Sequence, residues 1–391
     1  MNRSFIARNP SVLIFLGILA LFTLAVTVLS EGFGLGLIST SFIKVLGKTL
    51  CLCLIAIAMD LIWGYTGILS LGHFAFFGLG GYMIGMWLMY ERTRRIVVSS
   101  LSEGVLPPTP EEITAGIGNQ IFGVVGSSDF PLIWAFADSL VLQLAFVVLV
   151  PGLLALVFGW LAFRSRVTGV YLSILTQAMT LGLSLYLFQN ASGLRGNNGL
   201  SGLQNLPGVT APQSVVSLWF FWASALALAL GYLLVAWVVS GKFGSVIRGI
   251  RDNEARVRFL GYSVETYKLA VFTLTACISG IAGALYYPQA GIINPAEVAP
   301  IASIYLAVWV AIGGRGRLYG AVIGTALVSL VSSWFTGGQA PDVPLGIYTV
   351  KWVDWWLVLL GLSFVLVTLY APNGIGGLID LLKRKLKETD V

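Results

Sequence analysis

Apolar runs of about twenty residues recur along nearly the whole chain, separated by short polar turns. A run of about 20 apolar residues is what an α-helix needs to cross a hydrocarbon core of about 30 Å. Runs of this kind occupy residues 11–29, 42–63, 69–90, 132–163, 168–188, 215–240, 269–287, 301–312, 318–335 and 352–370. The pattern predicts an all-α, polytopic membrane protein of about ten transmembrane helices, forming a single membrane-embedded domain over residues 1–391. Three runs need comment. Residues 11–29 form a long run with no small-residue cleavage pattern after it, which predicts a retained first span rather than a signal peptide. Residues 132–163 are too many for one straight span, and Pro151 in their middle predicts a kink. Residues 301–312 are too few, so this segment either spans or re-enters.

The polar interruptions set the topology. A basic loop between two spans is expected in the cytoplasm, where short loops hold the excess of Lys and Arg. The longest charged island is 241–268, GKFGSVIRGIRDNEARVRFLGYSVETYK. It carries Lys242, Arg248, Arg251, Arg256, Arg258 and Lys268 against Asp252, Glu254 and Glu265. Residues 252–259 lack Gly and Pro, and Gly261 follows as a helix-closing residue, which predicts a short helix at the cytoplasmic face. Arg3, Arg8, Arg164, Arg166, Arg315, Arg317 and the 372–391 tail, with Lys383, Arg384, Lys385 and Lys387, fall on the same side of this threading. Both termini are therefore expected inside. The cations left over are Lys44, Lys48, Arg92, Arg94, Arg95, Arg195 and Lys351. Residues 91–131, rich in Pro, Gly and Glu, read as an irregular extracytoplasmic loop insertion, with a short helix begun at Pro110-Glu111-Glu112.

Composition agrees: 57% of the 391 residues are hydrophobic and 10% charged, against about 25% charged in soluble domains. The net charge of +6 is accounted for by membrane topology and calls for no nucleic acid. Cys51, Cys53 and Cys277 lie in apolar runs and read as packing residues. The chain has no GxxxxGK[ST] phosphate loop and no HExxH, CxxC or GxSxG motif, and its single His rules out a histidine metal cluster. No catalytic residue, metal or cofactor is expected. Asp60 and Asp138 lie near span ends, and the deep interior reads as nearly free of carboxylates. Ion-driven transporters keep such groups at mid-membrane, so the energy source is expected outside this chain.

Some polar residues do enter the spans. Ser173, Gln177, Thr180 and Ser184 are spaced i, i+4, i+7, i+11 on one helix face, with Thr176 beside them. They could line a path for a neutral polar solute or bond neighbouring helices, and both readings fit. Thr325, Ser329 and Ser332 read as packing groups. Gly78, Gly81 and Gly85, and Gly316, Gly320 and Gly324, form small-residue seams for close helix approach. His73 reads first as a buried hydrogen-bonding residue and second as a contact on the solute path.

Several blocks resemble a known family. WGYTGILSLGHFAFFGLGGY (63–82), GVYLSILTQAMTL (169–181), GNNGLSG (196–202), IRDNEARVRFLGYSVETYKLAVFTLTACISGIAGALY (250–286) and GGRGRLYGAVIGTAL (313–327) are similar to the permeases of branched-chain amino acid ABC importers. Within that family, LTQA followed by GNNGL resembles the second permease of urea importers. The resemblance implies a subunit of a bacterial inner-membrane importer whose partners are a second homologous permease, two cytoplasmic ATPase subunits and an external solute-binding protein, besides membrane lipid. It further implies that Arg251, Asp252, Asn253, Glu254, Ala255, Arg256, Arg258 and Gly261 belong to a coupling helix that docks on the ATPase. Gly249 stands where that motif usually has Ala. The expected solute is urea, with a branched-chain amino acid or a short-chain amide as alternatives, and the expected path is Ser173, Thr176, Gln177, Thr180, Ser184 and His73.

Overall fold

The computed structural model describes residues 10–101, 109–122, 131–165, 167, 169–337, 343–345, 348–370 and 374–377. Arg3, Arg8, Arg166, Pro372 and the tail cations Lys383, Arg384, Lys385 and Lys387 lie outside the described residues. The helices are α1 (Pro10–Leu29), α2 (Thr40–Asp60), α3 (His73–Leu101), α4 (Pro110–Phe122), α5 (Leu140–Arg164), α6 (Val170–Phe188), α7 (Gln213–Ser240), α8 (Lys242–Phe259), α9 (Val264–Ala290), α10 (Pro300–Gly313), α11 (Leu318–Thr336) and α12 (Trp352–Tyr370). Strand structure among the described residues is slight. Leu200–Ser201 pairs antiparallel with Ile292–Ile293, and Val343–Leu345 with Tyr348–Val350. Among the described residues, seven helices are long and apolar enough to cross a membrane, and α10 and α12 are shorter apolar helices. The all-α polytopic architecture expected from the hydrophobic pattern is the one observed.

The centre of the bundle is α2. Its run of Leu, Ile, Ala and Cys is apolar on every side, and a helix of that kind is stable only when surrounded. Of its most apolar window, 89% is buried, against 11% for α1. Helices α7, α9 and α11 pack around it, and α3 and α5 pack on α9. The α3–α9 crossing is set by Gly80 against Gly280: a Cβ at Gly80 would run into the Gly280 carbonyl. Gly280 in turn faces Val147 and Pro151 of α5.

The structure departs from the sequence reading in four places. The third span does not start at Leu69: residues 66–72 are non-helical and α3 begins at His73. It also does not end at Tyr90. It runs on to Leu101, Glu91 pairs with Arg94 and Arg95 at 3.3 Å, and α4 packs back on it with Gly116 against Val97. The described part of 91–131 is thus a helical hairpin rather than an irregular loop. Helix α5 passes through Pro151 without a non-helical residue, and the long apolar run is instead divided at residues 135–139. The proline sits where Gly280 lets α9 approach, so neighbour packing accommodates it. Finally, the basic loop is helical from Lys242 onward, with a break at Asn253.

Candidate functional site

Asn253 has φ −160° and ψ 96°, and its side-chain oxygen accepts from the Arg256 N–H at 3.0 Å. That is an N-cap, and it makes 254–259 a separate short helix. The helix closes where the Leu260 N–H donates to the Arg256 carbonyl and the Gly261 N–H to the Arg258 carbonyl, with Gly261 at φ +88°. Glu254 anchors it. Lys268 of α9 reaches its carboxylate at 2.6 Å, and Arg258 bridges Glu254 at 3.0 Å and Glu265 at 2.6 Å. Hydrogen bonds to Glu265, then to Glu254, raise the Arg258 pKa above its ordinary value, so the guanidinium stays charged. Beneath the helix, Val257 packs with Ile250 and Val264. A Cβ at Gly249 would stand 3.0 Å from Val257, which accounts for a minimal residue there.

The outer face of this elbow is apolar. Phe259 is 92% exposed and Leu260 71%, beside Asp252, Asn253, Ala255 and Arg256, which are also exposed. Arg251 instead turns toward the bundle: it donates to the Gly64 carbonyl at 2.8 Å and pairs with Asp252 at 3.0 Å. Next to Gly64, the Asp60 carboxylate accepts from the Gly316 N–H at 2.7 Å, and Arg315 lies over the Trp63 ring at 5.1 Å. Three basic or turn segments far apart in sequence thus meet at one end of the bundle, tied by hydrogen bonds.

The α6 stripe is largely consumed by backbone. Ser173 donates to the Leu69 carbonyl at 2.6 Å, and the Leu71 N–H donates to Thr176 at 3.0 Å. Non-helical backbone within a membrane bundle is stable only when its polar groups are satisfied by protein or water. Thr180 and Ser184 are buried and bond back to the carbonyls of Thr176 and Leu181. Gln177 is half-buried and makes no hydrogen bond among the described residues. His73 is fully buried, edge-on to Phe76 and Phe272, and its ring nitrogens have no partner. Ser70, equally buried, is also unpartnered.

A second break lies between α9 and α10. Residues 291–299 carry the two-residue strand and a 3-10 turn, Pro295–Val298, whose Val298 packs on Gly78 of α3. The Phe74 N–H, at the start of α3, donates to Ser303 in the first turn of α10 at 3.1 Å. Two helices therefore begin inside the bundle, face to face. Helix α10 has 14 residues, or about 21 Å, too short to cross a core of about 30 Å. Around this break sits a polar cluster. Glu297 interacts electrostatically with Lys48 of α2 and with Tyr82, Tyr286 and Tyr287. No ion pair joins Lys48 and Glu297 among the described residues. The Tyr287 hydroxyl lies near Glu297 without completing a bond, and Tyr82 and the Gln289 carbonyl are likewise buried and unpartnered. The Gln289 amide nitrogen donates to Ser224 at 3.0 Å. The GNNGL loop closes over the break, where Asn294 donates to the Asn197 carbonyl at 2.9 Å.

The sequence profile of the family described as branched-chain amino acid transport system / permease component matches residues 41–368. The chain belongs to this family. The permease is 22% identical over 334 residues to the high-affinity branched-chain amino acid transport system permease protein LivM of Escherichia coli (strain K12), covering 80% of this chain and 67% of that protein. The LivM of Salmonella typhimurium is 21% identical, with 75% and 63% covered. The autoinducer 2 import system permease protein LsrC of Escherichia coli O9:H4 is 28% identical over 117 residues, with 27% and 34% covered. The permease thus spans about two thirds of the length of the LivM relatives. No solved structure matches it. A permease component of a transport system is not an enzyme.

Sequence reasoning on the permease missed the Lys48–Glu297 cluster. Lys48 reads as a stray exception to the charge bias, and Glu297 falls between two apolar runs. The signal was present: two lysines, Lys44 and Lys48, stand in the first half of α2, ahead of its apolar run.

Proposed function

We propose that this chain is the second permease of an ATP-driven urea importer in the bacterial inner membrane, with both termini cytoplasmic. It works with a homologous permease, two cytoplasmic ATPase subunits and an external solute-binding protein. The observation that carries the coupling part is the capped helix 254–259. It presents Phe259 and Leu260 outward while Glu254 is pinned to α9 and Arg251 to Gly64. Such a rigid lever, gripped by an ATPase, transmits closure to α2, α9 and the α10–α11 turn, and so alternates access at the two breaks. Asp252, Asn253, Ala255 and Arg256 form its docking face, and Gly261 fixes its end.

Urea is small, neutral and both donor and acceptor. Unpartnered Gln177, Tyr82, Tyr287 and the Gln289 carbonyl supply matching neutral groups, and the LTQA and GNNGL blocks favour the urea branch. In proteoliposomes containing all subunits and the binding protein, urea is expected to stimulate ATP hydrolysis. Stimulation by leucine and not urea would overturn this reading. A second reading, transport of a branched-chain amino acid, is favoured by one observation. Lys48 and Glu297 influence each other electrostatically with no ion pair between them among the described residues, and the ends of a zwitterion would complement them.

A further inference from the structure

Helix α1 leans on α7, through Phe15 stacked on Tyr232 at 3.9 Å and Trp222 donating to Thr27 at 2.9 Å. It stands off from α2 and α11. The gap is a cleft of about 470 Å³ with almost wholly apolar walls, among them Ile18, Phe22, Leu50 and Ile323. A second cavity, of about 250 Å³, has polar walls and includes Tyr65, Ser240, Arg248 and Arg317. Ser11 and Tyr319 line both, so the two adjoin. From the cleft the polar cavity opens at the basic end of the bundle, beside the base of α8.

We propose that the two adjoining cavities together bind one anionic phospholipid, with an acyl chain in the apolar cleft and the phosphate between Arg248 and Arg317. Length supports an acyl chain. From Ser11 to Phe22 a helix rises about 16 Å, and half of a hydrocarbon core is about 15 Å. The groove therefore spans one leaflet and ends at headgroup depth, where the arginines are. Ile14 and Ile18 on its rim are 61% and 64% exposed, open to the surrounding hydrocarbon. Charge supports an anion. Arg248 and Arg317 are both half-buried in the cavity wall, and Arg248 spends one N–H on the Val239 carbonyl at 3.0 Å, keeping other donors. Among the described residues the nearby carboxylate, Asp60, is buried behind Gly316 and accepts its N–H, which leaves the mouth net positive. Basic pockets between spans at the cytoplasmic side suit anionic headgroups. The site joins α1, the α2 turn, the α10–α11 turn and the base of α8, the parts that a moving elbow would displace. The binding claim is independent of which solute is carried.

The test is native mass spectrometry of the full chain released from bicelles holding equal dioleoyl phosphatidylglycerol and dioleoyl phosphatidylcholine. One phosphatidylglycerol per chain is expected to be retained in preference to phosphatidylcholine. Arg317→Gln and Arg248→Gln are each expected to lower its retention about fivefold, from roughly 1 kcal/mol per cation at the surface. Arg248→Lys keeps the charge and is expected to keep the lipid. Ile323→Trp, at a half-exposed groove position, is expected to displace both lipids alike. Equal retention of the two lipids by the unaltered chain would overturn the proposal. So would unchanged retention in the Gln and Trp variants, or loss of the lipid when a second permease subunit is added, which would make the cleft a subunit interface.

Discussion

Ser173 and Thr176 show how a side chain's partner decides its role. On a helical wheel they share a face with Gln177 and Thr180, and any of the four could touch a solute. Their hydroxyls instead satisfy the Leu69 carbonyl and the Leu71 N–H. Thr176→Val would leave that N–H unpaired in a buried site, at a cost of about 1–3 kcal/mol. It is expected to lower thermal stability in detergent while leaving solute preference unchanged. Gln177→Leu is expected to do the reverse, lowering uptake of labelled urea with little change in stability. Equal effects of both variants on uptake and on stability would show that the face does not divide in this way. Lys48→Met separates the two solute readings. It is expected to leave urea uptake largely intact, and an abolished leucine response would instead establish the zwitterion reading. His73 lies edge-on to Phe76 and Phe272, with both ring nitrogens unpartnered among the described residues.

At the scale of elements, the elbow carries the sharpest expectation. Exposed aromatic residues at the centre of an interface commonly carry more than about 1 kcal/mol of binding energy. Phe259→Ala is expected to weaken capture of the ATPase subunit by the purified chain. Deleting 252–259 is expected to abolish ATP-dependent uptake, and uptake that survived would mark an autonomous channel. The hairpin end of α3 offers a pH test. Thr109 and Glu112 form a reciprocal cap: the Thr109 N–H donates to Glu112 at 2.8 Å, and the Glu112 N–H donates to the Thr109 hydroxyl at 3.3 Å. The bonds from the Thr109 N–H and hydroxyl hold the Glu112 carboxyl below its ordinary 4.5. A depressed acid stabilises the folded helix above its unfolded pKa, and that contribution is lost as pH falls through the lower, folded value. Hydrogen exchange at 110–122 is therefore expected to keep its protection down to about pH 4.5 and to loosen below it, and Glu112→Gln, which keeps a neutral side-chain cap, is expected to lose that pH dependence.

For the whole molecule, the ten-segment plan was legible because each span needs an unbroken apolar stretch of known length, and lipid enforces that need locally. The helix at 252–259 was legible for a similar reason. Its cap and closing glycine are neighbours in sequence, and both appear in the structure. The break at 291–299 fell in the gap between two predicted runs, but the interior break at 66–72 was not legible. Residues 68–72 are as apolar as any span, and hydropathy does not distinguish helix from extended chain when distant side chains supply the hydrogen bonds. The Gly80–Gly280 crossing makes a whole-molecule prediction. Gly280→Leu would drive a branched side chain into the backbone of α5, and overpacking costs about 1–3 kcal/mol or more. It is expected to lower the yield of folded protein on size-exclusion chromatography, while Gly182→Ala, in open space, is expected to change nothing.

By itself the sequence determined which stretches are apolar spans, which loops carry the positive charge and where the elbow's short helix stops, because these depend on residues within one or two turns of each other. Tertiary structure alone decided that Ser173 and Thr176 serve a neighbour's backbone, and that Arg251, Asp60 and Gly316 tie one end of the bundle together. Each of those is a contact between residues far apart in the chain, set by how helices pack, and neither periodicity nor composition encodes which distant partner a polar group will find.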